Sequence, residues 1–162
     1  SAAYKILEGI ILLATPLALI SFRSLRLYSK NKKKFFNLFS ILLILMFFVA
    51  IFIVLIGWLW GATLMLLFFG NEYLPAGTLL IWLLLSLLFI FPNYILTQGA
   101  IALNRERGYA KIVVIVALLN IILNIWLIPE FGAMGAALAT IFAEGVLFMG
   151  LSWMLFSEWR KD

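Results

Sequence analysis

Three long stretches of this chain carry no charge. Residues 35–71 hold no Lys, Arg, Asp, Glu or His, and neither do residues 73–104 and 112–129. Inside a bilayer every backbone N–H and C=O must be satisfied within its own segment, so uncharged apolar runs of this length predict membrane-crossing helices. The pattern predicts an all-α, polytopic membrane helix bundle with five transmembrane helices in one transmembrane domain, residues 1–162.

The first span is expected at about residues 3–22, with Lys5 and Glu8 near its start and Pro16 inside it. A basic connector, RSLRLYSKNKKK, follows. The second span is expected at about 38–58. Its uncharged run of 37 residues would be about 55 Å long as helix, well beyond the roughly 30 Å hydrocarbon core. One full span to about Ile56 is therefore expected, with the sequence GWLWGATLMLLFFG as continuation plus a segment at the interface, where Trp58 and Trp60 suit an aromatic belt. A short turn at residues 71–75 places Pro75 near the start of the third span, 76–102. Pro92 inside that span predicts a kink. The fourth span, 112–128, is expected to stop at Pro129, with a tight turn at 129–132, and the fifth runs over 133–156.

The charges test this division. Of twelve Lys and Arg residues, eleven fall at 23–34, 105–111 and 160–161, which five spans place on one side. The opposite set of connectors holds only Lys5. By the positive-inside rule the N-terminus faces outside and the C-terminus the cytoplasm. A miscounted span would scramble this parity. The net charge of +5 is therefore a topology signal and argues for no nucleic-acid partner; membrane lipids are the expected neighbours of the basic loops.

Composition narrows the chemistry. Hydrophobic residues make up 66% and charged residues 12%, against about 25% charged in a soluble domain. There is no Cys and no His, which excludes disulfides, thiolate metal sites, a cysteine nucleophile and imidazole acid–base chemistry. Phosphate-loop, HExxH and GxSxG motifs are absent, and Glu8 and Glu144 are not spaced as an acid–base pair. No catalytic residue and no metal ligand set is expected, and the chain reads as a non-enzyme.

Function should then lie in the few polar groups within the spans. Lys5 and Glu8 stand at i, i+3 on one helix face, where they can pair; they are either an ion- or substrate-contacting pair or a boundary pair snorkelling to the headgroups. Glu144 lies eleven residues into the fifth span, about 17 Å deep by helical rise and near the midplane. It is either a proton- or cation-coupling group, or a partner to a substrate group, or a carboxyl hydrogen-bonded to a neighbouring helix. Asn120 and Asn124 form a polar stripe at i, i+4, and Asn93 and Gln98 mark the third span; such amides either join helices or contact substrate. In GAMGAALAT, residues 132–140, the spacing of Gly135 with Ala139 and Ala133 with Ala137 predicts close helix approach.

The order of features resembles a known family. It runs from AAYKILEG through a basic loop and LMLLFFGNEYLPAGTLL to TQGAIALNRERGYAK and LLNIILNIWLIPEFGAMGAALATIFAE. The chain is similar throughout to the polysaccharide and O-antigen transporters, the lipid-linked oligosaccharide flippases of the multidrug/oligosaccharidyl-lipid/polysaccharide exporter superfamily. The most specific pieces are the asparagine-rich helix, Pro129, Phe131-Gly132, Gly135-Ala136-Ala137, Glu144, and the FGNEY turn at 69–73. The resemblance implies two pseudo-symmetric lobes of six helices, with this chain as spans eight to twelve in the C-terminal half. The partner implied first is then the missing N-terminal lobe of the same protein; the start at Ser1 rather than Met fits that expectation.

By the same resemblance the substrate is an undecaprenyl-diphosphate-linked oligosaccharide, moved across the bacterial inner membrane by rocking of one lobe against the other. No cofactor is implied beyond coupling to H+ or Na+. The eighth helix of the family borders the central cavity, which makes Tyr4, Lys5 and Glu8 cavity candidates alongside Asn93, Gln98, Asn120, Asn124 and Glu144. Arg23 and Arg26 would stand at the cytoplasmic mouth, to receive the diphosphate or, the favoured role, to anchor the helix. The alternatives are a cation-coupled multidrug exporter of the same superfamily, a peptidoglycan-precursor flippase, and a non-transporting membrane scaffold.

Overall fold

A computed structural model describes residues 2–74 and 76–160, with the backbone alone at Ala18. The described residues fold into six α-helices: α1 Ala2–Leu27, α2 Lys32–Phe69, α3 Ala76–Leu85, α4 Leu87–Ala102, α5 Glu106–Phe131 and α6 Ala133–Trp159, with one 3-10 turn at Asn71–Tyr73. Helices α3 and α4 form one run, Ala76–Ala102, so five helical segments are long and apolar enough to cross a membrane. The α3–α4 run is the most enclosed of the five and α5 the least. Around α3–α4 pack α1, α2 and α6, and α5 lies outside α6.

The structure adds detail at three helix ends and corrects one expectation, that for Pro129. The segment after Ile56 continues α2 unbroken to Phe69, so the helix runs over 38 residues, about 57 Å. Nothing in GWLWGATLMLLFF breaks it, and its glycines are used for packing. Gly57 and Gly61 are buried against α3, where a Cβ on Gly57 would lie 2.1 Å from the Leu84 Cδ1 and one on Gly77 would lie 3.1 Å from the Ala62 Cα. This is a GxxxG face, and it makes α2 and α3 a close antiparallel hairpin.

The third span is interrupted at Ser86, between α3 and α4. The Ser86 N–H bonds back three residues to the Leu83 carbonyl at 3.1 Å, and its hydroxyl donates to the same oxygen at 2.6 Å. A serine that takes a helix carbonyl from the ladder tightens and bends the turn. Pro92 stays inside α4.

Pro129 does not stop α5, which runs on to Phe131. A proline there loses only its own N–H, while the Gly132 N–H still bonds to the Ile128 carbonyl at 2.8 Å. The helix ends where Gly132 turns to φ +57, a conformation that a Cβ disfavours. The expectation for Pro75 lies outside the described residues.

The basic connectors meet at one end of the bundle. Asn31 caps α2 there, its side-chain oxygen accepting from the Lys34 N–H at 3.0 Å. Arg26, at the end of α1, donates through Nη1 to the Ala102 carbonyl and to the Asn104 Oδ1, both at 2.8 Å. Arg105 pairs with Glu158, joining the start of α5 to the end of α6. These links carry the alternating helix directions into one arrangement, with the 3-10 turn and Gly132 at the opposite end.

Candidate functional site

Two of the intramembrane candidates are brought together. Asn93 on α4 donates from Nδ2 to the Glu144 Oε2 on α6 at 2.7 Å and to the Glu144 backbone carbonyl at 3.0 Å. Asn93 is only 4% exposed. Its Oδ1 is buried and has no hydrogen-bond partner among the described residues. Gly145 on α6 lies beside Phe89 on α4, with 3.7 Å from a Cβ position there to the ring. Pro92, also buried, supplies no N–H at the position beside Asn93. Tyr94, the next residue on α4, lies within electrostatic reach of Glu144.

One donor does not saturate a carboxylate, and an unpaired amide oxygen stands on the side chain that holds it. Unsatisfied acceptors in a low-dielectric interior are unfavourable. A proton on Glu144 or a hard monovalent cation is the chemistry that a carboxylate and an amide oxygen both accept. Among the described residues no group of three or more acidic side chains gathers into a metal site.

The other candidates do not join this pair. Asn124 donates from Nδ2 to the Asn120 backbone oxygen at 2.8 Å and to its Oδ1 at 2.9 Å, and Asn120 donates to the Ala139 carbonyl on α6 at 3.4 Å. Their stripe faces α6 and acts as a polar seam. Gln98 is half-buried on α4, and Tyr4 is half-buried against the core at the start of α1.

Lys5 and Glu8 share a face, as the i, i+3 spacing requires, but form no ion pair among the described residues. They are exposed on the side of α1 opposite the buried Ala3, Leu7 and Ala14. Two solvated or lipid-facing side chains gain little from pairing and lose rotamer freedom by it. Arg23 is exposed as well. Arg26 instead closes the end of α4, where a cation meets the carbonyl end of a helix, so its observed contacts are those of an anchor. Asn104 accepts its bond from a left-handed backbone at φ +56, which Asn tolerates better than most residues.

Sequence reasoning missed three features. The GxxxG spacing of Gly57 and Gly61 was legible in GWLWG. The Arg105–Glu158 link had no local signal, because its members lie 53 positions apart. The contact of Asn93 with Glu144 spans 51 positions, and only the packing of α4 on α6 reveals it.

No family model matches the chain. No solved structure matches it. Over 87 residues, 54% of this chain, it is 33% identical to an uncharacterized membrane protein of Methanocaldococcus jannaschii. The chain spans 17% of that relative's length.

Proposed function

We propose that this chain is part of a transporter that moves an undecaprenyl-diphosphate-linked oligosaccharide across the bacterial inner membrane for polysaccharide or O-antigen biosynthesis. Transport proceeds by alternating access, with H+ or Na+ coupling at Glu144. The N-terminus of this chain faces outside and the C-terminus the cytoplasm.

The observation that carries the reading is the Asn93–Glu144 contact. Helices are held together adequately by small residues and single amides, as α5 and α6 are. A carboxyl near the midplane, held by one donor and accompanied by an unpaired acceptor, exceeds what packing needs. The sugar-lipid substrate is supported by the resemblance in the segment that folds as α5, Gly132 and the first half of α6. The exposed Lys5–Glu8 face of α1 suits a surface turned to a second lobe.

The test is made in the full-length protein. Glu144→Gln keeps size and hydrogen bonding but removes the ionisable oxygen; Lys5→Ala removes the exposed cation. Each should cut surface polysaccharide about tenfold or more, while membrane levels by immunoblot stay unchanged. Normal polysaccharide from both variants would refute the proposal and favour a scaffold. Unchanged polysaccharide with lost resistance to cationic drugs would favour the multidrug exporter.

A further inference from the structure

At the basic end, a groove of about 480 Å³ runs between α2 and α6, lined by Phe39, Ser40, Leu43, Phe148, Ser152 and Trp153, among others. It opens outward, since Trp153 is 78% exposed and Phe156 and Trp159 are about half exposed. A second cavity of about 830 Å³ lies above it, lined by Lys32, Lys33, Lys34 and Asn37. The two share Phe36, Ser40 and Trp159, so they form one continuous surface. The Phe36 and Trp159 rings stack at 5.1 Å across the junction and fix its shape.

The surface has the polarity of an amphiphile. Lys33 and Lys34 are exposed and form no ion pair among the described residues. The nearby carboxylate of Glu158 is engaged by Arg105. Along α6 the groove lining runs from Trp159 to Phe148, about 17 Å by helical rise, close to half of the roughly 30 Å hydrocarbon core. An occupant must therefore be anionic at its head and apolar to the depth of one leaflet.

We infer that this groove binds one anionic phospholipid. Its phosphate rests on Lys33 and Lys34, and one hydrocarbon chain lies along Phe39, Leu43 and Trp153. The inference stands apart from the transport proposal, because it uses neither Glu144 nor the face of α1.

The full-length protein in phosphatidylcholine vesicles tests it, with a chain-diazirine phosphatidylglycerol or the matching phosphatidylcholine as probe. Cross-links within residues 36–43 and 148–156 are mapped by peptide mass spectrometry. They are normalised to those on the outward face of α5, at Ile122 and Trp126, both exposed. The groove-to-α5 ratio should be about fivefold higher for phosphatidylglycerol. The double variant Lys33→Gln/Lys34→Gln should return it to the phosphatidylcholine value, and Ser152→Trp should suppress groove labelling by filling it. Equal ratios for the two lipids, or a preference indifferent to the lysines, would overturn the inference. So would an unlabelled groove, the result if another part of the protein or a second copy covers it.

Discussion

Helix α6 makes two unlike interfaces. Against α5 it offers small residues: Gly135, Ala139 and Ala143 are buried at successive i+4 positions, and a Cβ on Gly135 would sit 2.1 Å from the Leu127 carbonyl oxygen. Backbones touch there, and the polar seam of Asn120 and Asn124 is bonded within α5 or to one α6 carbonyl. Against α4 the same helix offers Glu144 to Asn93, and leaves an amide oxygen unpaired. The first interface is complete as packing. The second leaves a buried acceptor unpaired, the feature on which the proposed coupling role rests.

Substitutions that separate shape from polarity would break or sharpen this contrast. The largest effect is expected from Gly135→Leu. The α5 carbonyl cannot retreat as a side chain can, so the two helices must part, at about 3 kcal/mol or more. Unfolding of the purified protein by denaturing detergent measures this, and a variant within about 1 kcal/mol of the parent would mean the backbone contact is not a real constraint.

A smaller effect belongs to the polar interface. Asn93→Leu, Glu144→Leu and the double variant form a cycle whose coupling should be about 1 kcal/mol, in the range found for hydrogen bonds between membrane helices. A coupling near zero would reduce Glu144 to a lone carboxyl and remove the difference between the interfaces. The smallest change is expected for Asn124→Ala, about 0.5 kcal/mol, because both its bonds stay within α5. A loss in the same unfolding assay as large as that of Gly135→Leu would show that the amides, not the small residues, hold α5 to α6.

The existence of the helices was legible because a bilayer permits few alternatives for an uncharged apolar segment. Three uncharged runs and two sparsely charged ones became five membrane-length segments, and Gly135 of GAMGAALAT became part of the α5–α6 contact. Where the helices end was less legible. Pro129 looked like a breaker, yet a proline removes only one backbone donor; the actual breaks came at Ser86, where a side-chain hydroxyl takes a helix carbonyl, and at Gly132 with its positive φ. Those depend on local geometry that residue types only bias.

The candidate site divides in the same way. Depth is a one-dimensional property, so the position of Glu144 in its helix was readable by counting residues. Partnership is not. Asn93, Gln98, Asn120 and Asn124 were alike as amides in apolar helices, and only their placement on faces of packed helices distinguished a buried clasp on Glu144 from a seam on Ala139. Composition and order dictate which segments enter the membrane, since that free energy is summed along each helix. Which polar atoms meet depends on how helices distant in sequence rotate and approach, a matter of packed faces such as the Gly135 contact with the α5 backbone that no single segment specifies.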